Sequence, residues 1–69
     1  MIDTRGFLCP MPVVMVRKCV LSDAPETLSV LADDRCAVEN ITRFANSSGY
    51  QVTTEADGPD FRMTLQKQR

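Results

Sequence analysis

The chain has 69 residues, 43% of them apolar, and a formal net charge of −1. This length suits one small domain, and we expect a single domain over residues 1–69. The near-neutral charge argues against direct nucleic-acid binding, and no apolar run approaches the ~20 residues that span a membrane. Because the N-terminus also lacks a secretory signal pattern, we expect a cytoplasmic protein with no membrane partner.

The cysteines narrow the possible chemistry. The chain has three cysteines, at positions 9, 19 and 36. An odd number fits free thiols in a reducing compartment better than a set of disulfides. The sequence has no histidine and no CxxC, which removes the usual zinc patterns and any Cys–His pair within the chain. We therefore expect no metal site.

The first half of the chain begins with a strand and a helix. Alternating residues predict a strand over 2–5, which Gly6 ends, and an apolar helix from Pro10 to about Ser22. Turn residues follow, as "SDAPE". The apolar stripe of this helix consists of Val13, Val16 and Val20, with Cys19 beside them. We predict that Cys19 lies in the core.

A second strand and helix come next. Residues 27–32 alternate as a strand, and the second helix is predicted from Arg35 to about Ser48. Asp34 is a suitable residue to cap its start, and Gly49 a suitable left-handed residue to stop it. Val38, Ile41 and Ala45 are predicted to make its apolar face.

The last stretch predicts a hairpin and completes the fold class. Strands at residues 50–55 and 61–66 alternate around the turn "DGPD". The order β-α-β-α-β-β, with strands apolar on one side, predicts an α/β protein of the two-layer α+β sandwich type. A right-handed crossover places both helix starts at one edge of the sheet. Cys9 and Cys36 are then expected along that rim.

The start of the first helix carries the candidate chemistry. If Pro10 occupies the first helical position, Cys9 caps the helix and its sulfur lies at the positive end of the helix dipole. Cysteines so placed have pKa values lowered from ~8.5 to ~3.5–7.5. Pro12 removes a second N–H, leaving the amides of Cys9 and Met11 near the sulfur, and Gly6 allows the sharp bend before it.

The same residues carry a family resemblance. The segment "DTRGFLCPMPVVMVRK" resembles the Asp-x-x-Gly-x-x-Cys-Pro-x-Pro signature of the TusA/SirA-like sulfur carriers. The matching positions are Asp3, Gly6, Cys9, Pro10 and Pro12. "LADD" and "DGPDFRMTL" extend the similarity along the chain. "AVENITRFA" is similar to the N-terminal domain of YedF-like proteins linked to selenium metabolism, in which a second domain often follows.

This resemblance implies a fold and an activity. The fold would be a four-stranded mixed sheet under two helices. The activity would be that of a sulfurtransferase-type carrier, in which Cys9 accepts sulfane sulfur as a persulfide and relays it. The donor would be a cysteine desulfurase or another carrier, and the acceptor a protein of tRNA thiolation, molybdenum-cofactor synthesis, or sulfur or selenium metabolism. No cofactor beyond the transient persulfide is implied.

Two charged residues near the thiol have alternative interpretations. Arg5 could favour the anionic form of Cys9, or it could be an ordinary solvated charge on a strand. Asp3 matches the signature, and we assign it to loop or strand structure before catalysis.

Four further residues are candidates for partner docking. Leu8 and Met11 flank Cys9 and could form the rim of a docking patch, although the core is an alternative that is slightly favoured for Leu8. Arg17 and Lys18 could steer an acidic partner, or belong to a solvated helix face.

Other functions compete with the sulfur carrier. The chain could be a non-catalytic, regulatory interaction module in which the two prolines only shape the helix start. A redox switch between Cys9 and Cys36 would require Cα atoms within roughly 7 Å, which separate helix starts make doubtful. For Cys36 we favour a structural role, with relay of sulfur from Cys9 as the alternative.

Overall fold

A computed structural model describes residues 2–8 and 10–68 of the chain, so Cys9 lies outside the described residues. The order of elements is the predicted one, β-α-β-α-β-β. The elements are β1 (Ile2–Asp3), α1 (Met11–Asp23), β2 (Thr27–Ala32), α2 (Arg35–Ser47), β3 (Tyr50–Asp57) and β4 (Asp60–Lys67).

The four strands form one mixed sheet in the order β1-β2-β4-β3. β1 runs parallel to β2, with Ile2 opposite Val30. β4 lies between β2 and β3 and is antiparallel to both, with Met63 opposite Val30 and Leu65 opposite Val52. The carboxyl ends of β1 and β2 therefore meet at one rim of the sheet, where both helices begin. The predicted α+β class is confirmed.

The core lies between the sheet and the two helices. Alternate strand residues are buried against the helices, while their neighbours on the other face are exposed or half-buried. The buried cluster contains Val16, Val20, Leu28, Val30, Ile41, Ala45, Tyr50, Met63 and Leu65. Cys19 is half-buried and packs against this cluster, in line with its predicted place in the core.

Helix α2 begins and ends with the predicted caps. The Asp34 carboxylate accepts a hydrogen bond from the backbone N–H of Cys36 at 3.3 Å. Gly49, two residues beyond the helix, has φ = +85° and so takes the left-handed conformation that turns the chain into β3.

The final hairpin is longer than predicted. The β3–β4 register continues to the pair Asp57 and Asp60, so only Gly58 and Pro59 form the turn. Gly58 has φ = +63°, as expected for glycine in a two-residue hairpin turn. The predicted four-residue loop thus contains two residues that still pair across the hairpin.

The first strand is shorter than predicted, because the chain bends before Arg5. Thr4 still donates its backbone N–H to the Leu31 carbonyl at 2.9 Å, but the turn starts at Arg5. Gly6 adopts φ = +85°, which confirms its predicted role in the bend.

Within residues 2–8 and 10–68, neither helix is long and apolar enough to cross a membrane.

Candidate functional site

The thiol loop, defined here as residues 4–10 between β1 and α1, is tied to the sheet on both sides of its bend. The buried Thr4 donates its hydroxyl to the Leu31 carbonyl at 2.6 Å. The backbone N–H of Gly6 donates to the Asp33 carboxylate at 2.9 Å. These two bonds connect the loop to the end of β2, which holds it at the rim where α2 also begins.

The start of α1 corrects one prediction. The helix begins at Met11, and Pro10, with φ = −100° and ψ = 18°, is its cap residue instead of its first residue. The Pro10 carbonyl accepts the first helical hydrogen bond, from Val14 at 3.2 Å. Cys9 therefore precedes the cap instead of forming it, while Pro12, the second helical residue, is buried. Cap positions depend on backbone dihedrals that sequence patterns place only to within a residue or two.

A backbone hydrogen bond connects the thiol loop to the first residue of α1. The Met11 amide donates to the Leu8 carbonyl at 2.8 Å. The predicted proximity of this amide to the sulfur, and the predicted lowering of the pKa of Cys9 at the helix start, concern a residue outside those described and stay predictions.

Arg5 belongs to a network of carboxylates. Its guanidinium contacts Asp3 at 2.8 Å and Asp60 at 3.3 Å, and its own backbone N–H donates to Asp3 at 3.1 Å. The side-chain and backbone hydrogen bonds from Arg5 lower the pKa of Asp3 to about 2, and the Asp3 carboxylate raises the pKa of Arg5. Asp3 thus has the structural role that we assigned to it.

This network joins the thiol loop to the hairpin. Asp60 begins β4, so Arg5 connects the first strand to the far end of the chain. The two carboxylates share the positive charge of Arg5, which weakens the alternative that Arg5 serves mainly to stabilise a thiolate. Since Arg5 and Asp3 are both about half exposed, we expect the pair to orient the loop more than to stabilise the fold.

Exposed apolar side chains flank Cys9 in the sequence. Leu8 is 84% exposed, which makes its predicted core placement wrong, and Met11 is 43% exposed. Phe7 and Val14, which the sequence did not single out, are also exposed. We call Phe7, Leu8, Met11 and Val14 the apolar patch. Among the described residues, the one other exposed large apolar side chain is Leu21, near the end of α1.

The charged side chains within residues 5–22, which include the patch, are all basic. Arg17 and Lys18 are exposed on α1, as the solvated-face interpretation requires. Residues 5–22 contain these two residues and Arg5 but no acidic residue, whereas the whole chain has a net charge of −1. The patch and its basic flank are therefore complementary to a surface that combines apolar and acidic side chains.

Cys36 occupies the first turn of α2, at the rim shared with the thiol loop. It is exposed, and its sulfur accepts a long contact from the Asn40 amide at 3.6 Å. The structural role that we favoured for Cys36 stays a prediction. The proposed pairing with Cys9 involves a residue outside those described and stays a prediction. In the part of the chain that the structure describes, no group of His, Cys, Asp or Glu could hold a metal ion.

Together these features define a small α+β protein with a cysteine next to a helix start, flanked by an apolar patch and basic side chains. The model of the family described as "Sulfurtransferase TusA" matches residues 1–67. The chain belongs to this TusA/SirA-like family, as its signature residues predicted.

Two relatives extend the comparison. A protein of Methanocaldococcus jannaschii named "Putative sulfur carrier protein" is 37% identical over 68 residues, covering 96% of this chain and 91% of the relative. The crystal structure of a SirA-like protein from Desulfitobacterium hafniense superposes with a TM-score of 0.83 at 27% identity. That comparison covers 99% of this chain and 96% of the other.

Proposed function

We propose that Cys9 accepts a sulfane sulfur as a persulfide and passes it to an acceptor protein. The observation that carries this proposal is the position of Cys9, directly before the cap of α1 in a loop tied to the sheet, within a family of sulfurtransferases. A helix start favours the thiolate, which is the nucleophile in sulfur exchange.

The proposed reaction has two balanced steps. The Cys9 thiolate attacks the outer sulfur of the donor's persulfide, forms a new S–S bond, and releases the donor cysteine as a thiolate. The acceptor's thiolate then attacks the outer sulfur on Cys9, and Cys9 leaves as a thiolate. The outer sulfur moves twice without net oxidation or reduction, so the exchange requires no cofactor beyond the transient persulfide.

The apolar patch supports transfer between proteins. Phe7, Leu8 and Met11 lie on either side of Cys9 in sequence and are exposed, so a partner that covers them also approaches the thiol. Arg17 and Lys18 extend the contact and favour an acidic partner surface. Partners of this chemistry would include a donor, such as a cysteine desulfurase, and a downstream acceptor. A reducing, cytoplasmic compartment belongs to the proposal because Cys9 must stay a free thiol.

Intact mass spectrometry tests the acceptor residue. The protein is incubated with a cysteine desulfurase and cysteine, and we expect an adduct of one sulfur atom that reducing agent removes. The adduct should disappear in Cys9→Ser and persist in the matched control Cys36→Ser. An adduct confined to Cys36 would contradict the proposal.

Thiol titration separates this function from the interaction module that lacks sulfur chemistry. Cys36→Ser keeps Cys9 and the half-buried Cys19, and alkylation rates are followed against pH by peptide mapping. We expect Cys9 to react faster near pH 7 than a model thiol, since the proposal places a thiolate at a helix start. A Cys9 that reacts no faster would favour the module.

A further inference from the structure

β3 forms a long, uncovered edge of the sheet. The strand order places β1 and β3 at the two edges, but β1 has two residues whereas β3 has eight. Only the first part of β3 is covered, since Tyr50 is buried, Val52 is half-buried, and all residues from Thr53 to Asp57 are exposed. We call these exposed residues, 53–57, the outer half of β3, and their main chain lies at the surface.

The hydrogen-bond pattern shows which main-chain groups point outward. Gln68 donates its backbone N–H to the Gly49 carbonyl at 2.8 Å, in register with the β3–β4 pairing. Hydrogen-bonded pairs alternate along an antiparallel ladder, so odd-numbered residues of β3 bond to β4. The N–H and C=O groups of Val52, Thr54 and Ala56 therefore face away from the sheet. Among the described residues, no other backbone hydrogen bond reaches these three.

Of the features that usually protect such an edge, the outer half of β3 has charged side chains but no proline, lysine or bulge. Residues 50–57 contain no proline and no lysine, and their register with β4 continues without a bulge. Edges without proline, lysine or a bulge are open to pairing with another strand. Its charges are Glu55 and Asp57, both at one end of the strand.

We propose that β3 pairs antiparallel with β3 of a second copy of this chain, about a two-fold axis at Thr54. In this register Thr54 faces Thr54, and Val52 faces Ala56, as the hydrogen-bonded pairs. Thr54 is the middle one of the three outward-facing residues, so an axis there uses the main-chain groups of all three.

The charges of the strand favour this arrangement over its alternatives. With the axis at Thr54, Glu55 lies opposite Thr53 and Asp57 opposite Gln51, so each acid meets a neutral side chain. An axis at Glu55 would place the two Glu55 carboxylates directly opposite, which is unfavourable. A parallel arrangement would run both acidic ends side by side. The strand is thus complementary to itself in one direction only.

The dimer would keep the sulfur site accessible. An antiparallel joint at β3 makes a continuous eight-stranded sheet, with the helices of both copies on one face. The thiol loop follows β1, at the opposite edge of the sheet, so both loops remain exposed. Because the pairing is confined to residues 51–57 of each copy, the contact is far smaller than the ~800 Å² per partner of a stable interface. We therefore expect a weak, reversible dimer.

Sedimentation equilibrium over micromolar to millimolar protein tests the proposal with two matched variants. Thr54→Lys places the new lysine directly opposite the same lysine of the second copy, at the two-fold axis. Because like charges repel there, we expect the dissociation constant to rise on the order of threefold to tenfold. Thr53→Lys, one residue away, places the new charge opposite Glu55 of the second copy. We expect the dissociation constant to fall by a similar factor, since the two such pairs are attractive.

A residue-level measurement makes the test independent of both variants. In the unsubstituted protein, amide exchange at Val52, Thr54 and Ala56 should slow as concentration rises, while the already bonded Gln51 and Thr53 should not change. Circular dichroism checks that each variant is folded. A chain that stays monomeric throughout the range would overturn the proposal. The proposal would also be overturned if both lysine substitutions changed the dissociation constant in the same direction, since the interface would then lie elsewhere or in another register.

Discussion

Leu8 is the residue at which exposure is most informative. A leucine would ordinarily be expected in the core, yet the Leu8 side chain is 84% exposed. Covering such a side chain with a partner contributes about 1.5–3 kcal/mol. In the unbound protein this contribution is absent, which is expected if the residue serves binding instead of folding.

Replacing Leu8 tests this role. We expect Leu8→Ser to lower kcat/KM for sulfur transfer from a protein donor by at least about tenfold, since a contact worth about 1.5–3 kcal/mol is lost. The unfolding free energy should change little, and so should the reaction of Cys9 with a small-molecule persulfide. The matched control is Leu21→Ser, which removes a leucine that is 71% exposed near the other end of α1. Equal losses in both variants would contradict a contact centred on the thiol loop.

At the scale of elements, two adjacent aspartates make different hydrogen bonds at the rim of the sheet where both helices begin. Asp34 accepts from Cys36 and caps α2, whereas Asp33 accepts from Gly6 and holds the thiol loop. The first bond is local, so its residue type and position were predictable from the sequence as a helix cap. The second joins residues 27 positions apart and depends on β1 and β2 lying side by side.

Substituting each aspartate in turn should separate the two tasks. Asp34→Ala is expected to lower the unfolding free energy by ~0.5–2 kcal/mol and to speed amide exchange at Cys36. Asp33→Ala should instead speed exchange at Gly6, with Cys36 unchanged. Thermal unfolding and hydrogen exchange by NMR measure both effects. Identical exchange patterns in the two variants would show that the rim responds as one unit.

At the scale of the whole molecule, Tyr50 links the sheet to the connection after α1. Its ring is buried in the core cluster, and its hydroxyl donates to the Pro25 carbonyl at 2.6 Å. Burial raises the pKa of this phenol above its ordinary value of 10.0, and the nearby Cys19 and Glu26 add a smaller effect in the same direction. The folded protein therefore favours the neutral phenol more strongly than the unfolded chain does.

This difference predicts how stability depends on alkaline pH. Above about pH 10 the unfolded chain loses the Tyr50 proton and the folded protein retains it, so the unfolding free energy falls as pH rises. Tyr50→Phe should reduce this alkaline fall. It should also lower stability near neutral pH by about 0.5–1.5 kcal/mol, through the lost hydrogen bond. Denaturant unfolding from pH 7 to 11 measures both, and an unchanged alkaline slope would contradict the assignment to Tyr50.

The local predictions succeeded where the physical signal is itself local. The alternation in β2 and β4 identified the buried Leu28, Val30 and Met63, because period two marks which face of a strand is covered. The left-handed Gly49 was predictable for a similar reason. The exact start of α1 was not predictable, because Pro10 is compatible with both the cap and the first helical position.

The sequence by itself determined the order of the elements, the core faces of the strands, and a cysteine placed before a helix within a family signature. Only the tertiary structure decided that β4 lies between β2 and β3, because no residue period encodes which strands become neighbours. It also decided that Met11, Val14 and Leu21 of α1 stay exposed, since these apolar residues lie outside the predicted stripe and the helical period alone does not show whether another element covers them. The contact between Arg5 and Asp60 spans 55 positions, and only the folded sheet brings these two charges together.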